Sequence, residues 1–144
     1  SSDLHARFGG IPIAKYFSSH ELDDILEDVL STCEQTVDKL YRIYSTVGIR
    51  EFLYKKFQTF SDVRIAKGIE VKVIAVGEGG ELRGLDERKW LKVDNSVPTY
   101  ILMYEGKTAY ISLDAHGEPV GVLIENQGVY EMQKNIFEEL WKNL

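Results

Sequence analysis

Leu22, Ile25, Leu26, Val29, Leu30 and Cys33 recur at i, i+3, i+4, i+7, i+8 and i+11. That spacing lays one apolar stripe along an amphipathic helix. Just upstream, Ser18 stands three residues before Glu21, the arrangement in which each side chain satisfies the other's free backbone N–H at a helix start. Before it, "IPIAKYF" alternates weakly and predicts a first strand over residues 11–17. "KLYRIYS" follows the helix as a second strand, rich in aromatic and branched residues. Ile49, Phe52, Leu53, Phe57, Phe60 and Val63 predict one face of a second helix, with Gly68 in the left-handed cap position. "EVKVIAV" then gives a short third strand. Strands joined by helical crossovers build parallel sheets with helices packed on them.

The second half has a different rhythm. Residues 77–98 form a long connection of 22 residues, in which "LDERKWLK" predicts a short helix. Beyond it lie a strand over residues 100–104, a turn at Glu105-Gly106-Lys107, a strand over 108–113, the turn "DAHGEP" and a strand over 120–124. Turns this short join antiparallel neighbours. Val129, Met132, Ile136, Phe137, Leu140 and Trp141 predict one face of a closing helix. The fold class is α/β with a mixed sheet: β-α-β-α-β, then antiparallel strands and a C-terminal helix. Residues 1–10 read as a tail or linker remnant and 11–144 as a single domain.

Composition narrows the setting. A chain of 144 residues, 44% of them apolar, suits one packed domain. No run approaches the ~18 apolar residues of a membrane span, and the start lacks a signal-peptide pattern. A single cysteine, Cys33, forms neither an intrachain disulfide nor a thiolate cluster, so a reducing, cytoplasmic location is expected. As the end of an apolar stripe, Cys33 reads as a small core residue. Seventeen basic residues stand against 23 acidic ones, for a net charge of −6. Nucleic-acid binding draws on clustered Lys and Arg, and the pairs Lys55-Lys56 and Arg88-Lys89 make no such cluster. The domain taken alone is not expected to grip DNA.

Candidate chemistry is sparse. The run "GEGGELRG" after the third strand has no glycine at the sixth position of a dinucleotide fingerprint and no Gly-Lys-Ser/Thr ending, and its glutamates repel phosphate. It reads as a surface loop. His5, His20 and His116 have no partner at i+4, so no helical metal pair exists. Asp23-Asp24 and Glu138-Glu139 read as solvated helix faces, and no Gly-x-Ser-x-Gly elbow occurs. No cofactor is expected.

The strings "PIAKYFSSHELDDILEDVL", "KLYRIYS", "RIAKGIEVKVIAV", "VPTYILMYEGKTAYISLD" and "GVLIENQGVYEMQKNIFEELW", in this order, resemble the effector domain of TrmB-type transcriptional regulators from residue 11 onward. The resemblance implies a phospholipase D-like fold. It also implies a winged-helix DNA-binding domain elsewhere in such regulators, which this chain is not expected to carry, so that DNA would be reached only through that domain. Active phospholipase D-like enzymes use His-x-Lys followed four residues later by Asp, the histidine attacking phosphorus and the lysine stabilising charge on the phosphate oxygens. With Glu105 in the aspartate's place, the lysine position is Tyr100 and the histidine position Pro98. The signature is absent, so no catalytic activity is expected.

The expectation is therefore a non-catalytic effector domain that forms a homodimer and senses a small molecule such as a sugar or metabolite. Ligands favour the crevice at the carboxyl ends of strands in open α/β sheets. Candidate binding residues are thus Tyr44, Ser45 and Thr46 after the second strand, Gly77 and Gly79 after the third, and Tyr100 in the hairpin. Tyr44 also reads simply as a half-buried strand aromatic. The alternatives are a phospholipase D-like phosphodiesterase or nuclease, and a stand-alone protein-interaction module.

Overall fold

The structure, a computed structural model, describes residues 11–77, 82–94 and 97–144. The expected tail over residues 1–10 lies outside them. Among the described residues the chain forms β1 (Ile13–Phe17), α1 (Leu22–Glu34), β2 (Leu40–Thr46), α2 (Arg50–Leu53), α3 (Phe60–Ala66), β3 (Glu70–Val76), β4 (Asp86–Leu91), β5 (Tyr100–Tyr104), β6 (Lys107–Leu113), β7 (Pro119–Glu125) and α4 (Gln127–Lys142). One sheet takes all the strands in the order β1-β7-β6-β5-β2-β3-β4. β2, β3 and β4 run parallel, and every other pairing is antiparallel. β2 is the strand at which the two kinds of pairing meet.

Side chains alternate across the sheet with the period of two that a strand imposes. Tyr41 and Ile43 of β2, Val73 of β3, and Tyr100, Leu102 and Tyr104 of β5 pack against Ile25, Leu26 and Val29 of α1, with Leu53 and Phe60 beyond. On the other face Ile74 and Met103 meet Tyr130, Phe137 and Trp141 of α4. The result is three layers, with two apolar cores that each hold a helix surface to the sheet. Burying one such large apolar side chain is worth about 1.5–3 kcal/mol. The capping pair at Ser18 forms as its spacing predicts, with Glu21 Oε1 accepting from Ser18 N at 3.1 Å. At α4 the Asn126 side chain accepts from Val129 N at 2.9 Å. Among the described residues no helix is long and apolar enough to cross a membrane.

Four local expectations are corrected. "LDERKWLK" contributes a strand: β4 pairs in parallel with β3 from Val71↔Asp86 to Val76↔Leu91. The helix preference of Leu, Glu, Arg and Lys amounts to tenths of a kcal/mol per residue. Leaving the outer backbone groups of a central hydrophobic strand without partners costs more. β1 joins no parallel unit; it lies at the opposite edge, antiparallel to β7 with Ile13 opposite Glu125. α1 therefore crosses the sheet, and β7, β6 and β5 fill the space between β1 and β2.

The helix expected from Ile49 to the Gly68 cap is broken after Leu53. The chain turns at 54–59 before α3, which lets Phe57 meet Phe60 edge-on at 5.5 Å and leaves Phe52 exposed. In α4 the buried stripe is Tyr130, Phe137 and Trp141, whereas Met132 and Ile136 face outward. The inward positions are chosen by the aromatic packing over β2 and β5, where Phe137 meets Tyr44 at 5.3 Å.

Candidate functional site

Where β2 and β3 end, the face that carries α4 opens into a cleft of about 260 Å³. Tyr44, Thr46, Val76, Val93, Thr99 and Ile101 line it, with Val97 beside them. Its place follows from topology. β2 has a parallel neighbour on one side and an antiparallel neighbour on the other, and crevices form outside strand ends where the chain's direction switches. Alternation decides the lining: Tyr44 and Thr46, two residues apart, share the face, as does Val76 opposite Thr46.

One wall is fixed by a three-bond lock between β2 and the segment before β5. Thr46 Oγ1 donates to Thr99 O at 3.0 Å and accepts from Thr99 N at 2.8 Å. Thr46 N donates to the same carbonyl at 3.2 Å. These bonds use the polar groups of Thr46, so it shapes the cleft rather than offering a free donor. Tyr44 packs its ring on Phe137, and partial burial pushes its phenol above the ordinary value. At neutral pH it therefore presents a protonated hydroxyl. Among the described residues no charged side chain lines the cleft. Such a surface suits a neutral, largely apolar small molecule with few polar groups.

The other predicted site residues separate. Ser45 is buried and points to the opposite face, opposite Ala75 and Tyr100. Gly77 follows Val76 with φ +100° and donates its N–H to Leu91 O at 2.9 Å, extending the β3–β4 ladder. Its positive φ is one that glycine adopts at least cost. Gly79 lies outside the described residues. Tyr100 is buried on the α2 side, and its hydroxyl lies 2.8 Å from that of Tyr54. Burial, and then the neighbouring tyrosines, push the Tyr100 phenol well up. The structure thus brings Tyr44 and Thr46 together and sends Ser45 and Tyr100 to the other side of the sheet.

Val76, Val93, Thr99 and Ile101 were not singled out in the sequence. The available signal was parity: Thr99 and Ile101 bracket Tyr100, so they face away from it and toward Tyr44.

At its far end the hairpin is tied to α1. Tyr104 Oη donates to Asp28 Oδ2 at 2.7 Å, and Lys107 Nζ reaches both oxygens of the same carboxylate. His20 and His116 are exposed, and no group of three metal-ligating side chains occurs among the described residues. Glu105 sits exposed in the hairpin turn, at the other end of β5 from Tyr100.

In sequence the chain matches no family model and no curated protein. In structure it is similar to NucT from Helicobacter pylori, at a TM-score of 0.61 and 11% identity over 92% of this chain and 97% of that one. It is also similar to TrmBL2, an archaeal chromatin protein described as showing a novel mode of DNA binding, at 0.55 and 12% over 92% of this chain and 52% of that one. A third likeness is to polyphosphate kinase from Porphyromonas gingivalis, at 0.55 and 11% over 97% and 28%. The chain thus spans about half the length of TrmBL2. At these identities the likeness is one of fold, and the seven-stranded mixed sheet with helices on both faces is a phospholipase D-like fold.

Proposed function

We propose that the chain is a non-catalytic effector domain of a TrmB-like transcriptional regulator, which binds a small neutral ligand in the cleft at the ends of β2 and β3 and works as a homodimer. The observation that carries this reading is the cleft around Tyr44 and Thr46, whose described lining holds no charged side chain, placed at the switch between parallel and antiparallel strands. Its mostly apolar lining favours a compact metabolite with one or two polar groups over a sugar, which needs several hydrogen-bonding partners.

The non-catalytic part rests on the hairpin. Pro98 offers no nucleophile, and the Tyr100 hydroxyl is buried, neutral and engaged with Tyr54. Neither supplies the attacking group and the positive charge that phosphoryl chemistry of the phospholipase D kind needs. The likeness to TrmBL2 supports a regulatory setting. With a net charge of −6, this domain leaves DNA contact to another part of a longer protein. A ligand acts in such a protein only if it binds two arrangements of the dimer unequally.

A thermal-shift screen against neutral metabolites and sugars tests the reading. A saturable rise in melting temperature is expected for at least one compound, because a ligand of the native state stabilises it. Tyr44→Ala is expected to abolish that rise. No response across the screen, or turnover of a chromogenic phosphodiester, overturns the proposal. Light scattering at micromolar concentration checks the dimer, and a monomer there removes that part.

A further inference from the structure

The strand register places one row of side chains straight across the sheet, on the face that carries α4. Tyr44 of β2 stands opposite Ile101 of β5, Ile101 opposite Tyr110 of β6, Tyr110 opposite Val122 of β7, and Val122 opposite Tyr16 of β1. Residues directly opposite each other in an antiparallel pair share a face, so the row runs unbroken from the cleft to the sheet edge. α4 is the one helix among the described residues packed on this face. A helix is about 10 Å across and strands lie about 4.8 Å apart, so it shelters only part of a seven-stranded sheet. Its cover gives out along the row: Tyr44 packs on Phe137, Tyr110 is half-buried, and Tyr16 is 79% exposed.

α4 itself turns a second apolar flank toward this uncovered ground. Gln133 donates to Tyr110 Oη at 2.9 Å, whereas Glu138 reaches Arg42 and Lys72 on the other side of the helix. Ile136 follows Gln133 at i+3 and Met132 at i+4, which sets both on the Tyr110 side. They are 51% and 62% exposed. The row and this flank hold no charged residue, and the adjoining Glu139 and Lys142 pair with each other at 3.7 Å. Two copies of a chain with net charge −6 repel each other, and they approach at least cost where each presents an uncharged surface. Tyrosine and methionine are side chains enriched at protein interfaces. With the half-buried neighbours of Tyr16, Met132 and Ile136, each copy offers roughly 600 Å² here, so a pair buries about 1,200 Å², the lower end of stable interfaces.

Resting on the homodimer reading above, we propose that two copies meet on this face. The Met132–Ile136 flank of α4 and the open stretch Tyr110–Val122–Tyr16 of each copy close on those of the other about a two-fold axis. A two-fold contact uses the same patch twice, and helix flank and sheet floor are both present on every chain. The row continues through Ile101 to Tyr44, so the partner copy borders the cleft. A ligand on Tyr44 and a partner on Tyr110 then act on one stretch of packed side chains. Coupling of this kind is reciprocal: a ligand that tightens the dimer is bound more tightly by the dimer.

Sedimentation equilibrium of the whole chain at micromolar concentrations, with three variants, tests the proposal. Ile136→Glu is expected to weaken self-association at least about thirtyfold, the weight of one interface hot spot. Tyr16→Ser, on a different element, is expected to weaken it at least about tenfold. Phe52→Glu, exposed on α2 across the sheet, is expected to leave it unchanged. Circular dichroism checks that each variant folds, and Tyr16→Ser carries the test if Ile136→Glu does not fold. A dimeric wild type whose association neither variant weakens overturns this surface and leaves the homodimer standing. Loss of association in Phe52→Glu alone does the same. A monomeric wild type overturns both.

Discussion

Tyr104 of β5 and Asp28 of α1 are joined by a 2.7 Å hydrogen bond, from a fully buried phenol to a carboxylate that also holds Lys107. Across 76 residues of sequence, it fixes how far α1 lies along the hairpin. Tyr104→Phe removes the bond while Asp28 keeps Lys107, and is expected to cost about 1 kcal/mol. Asp28→Ala strips the acceptor from both partners and leaves the buried hydroxyl unpaired, at about 1–3 kcal/mol. Urea melts check both, with the midpoint falling at constant slope. Equal stability of Asp28→Ala and wild type would show that the contact fixes nothing.

Glu138 of α4 faces two cations of the sheet, with Arg42 Nε at 2.5 Å and Lys72 Nζ at 3.5 Å. Burial pushes its carboxyl up, but the Arg42 hydrogen bond and charge, with Lys72, outweigh burial and hold it below the usual 4.5. A carboxyl depressed in the folded state adds stability above its unfolded value and loses it as pH falls through the folded one. Urea stability of the wild type should therefore fall more steeply below about pH 4.5 than that of Glu138→Gln. At pH 7 the variant is expected to be about 1–2 kcal/mol less stable, part of the pair's strength being lost to solvent. Parallel acid limbs would dismiss the contribution.

Gly121 lies in the middle of β7, between Phe17 and Ile111. A Cβ placed there would stand 3.0 Å from Ile25 Cδ1 and 3.1 Å from Leu22 Cδ2. Both are ends of flexible side chains, so alanine forces a small adjustment. Valine pushes α1 off the sheet, and overpacking of this kind costs about 1–3 kcal/mol. Thermal melts should rank wild type and Gly121→Ala well above Gly121→Val.

Cys33 is buried, and burial first, then the nearby acids, pushes its thiol up to about 12. Only the thiolate attacks a disulfide reagent. At pH 8 the native protein should react with Ellman's reagent only as fast as it opens, and added urea should release one equivalent at once. Fast labelling of the native chain contradicts this placement.

Much of the architecture was legible because it follows from local periodicity. The stripe from Leu22 to Cys33, the strand "EVKVIAV" and the hairpin around Glu105-Gly106 each carry their pattern within a few residues. What stayed hidden depends on partners distant in sequence. "LDERKWLK" becomes a strand because β3 has a free edge beside it. A structureless connection of 22 residues was itself a sign of a missing element. Met132 and Ile136 share a helix with Phe137, but only the tertiary packing of Tyr130, Phe137 and Trp141 decides which side is inside. For the site, Tyr44 and Thr46 were legible from the rule of strand ends. Val76 and Thr99, 23 positions apart in the chain, line one cleft only once β5 has joined β2.

The pairing of β1 with β7 has a consequence for how the chain comes into being. Ile13 must find Glu125, and Phe17 must find Gly121, more than a hundred residues later. A ribosome releases the first strand long before the seventh, so β1 has no ladder to join until β7 has been made. β2 and β3, joined through α2 and α3, can pair much earlier. Contacts of such large sequence separation slow folding, because the loop they close must be ordered before they form. During that interval Ile13, Tyr16 and Phe17 are an unpaired apolar strand, the kind of segment on which chaperones and aggregation both act.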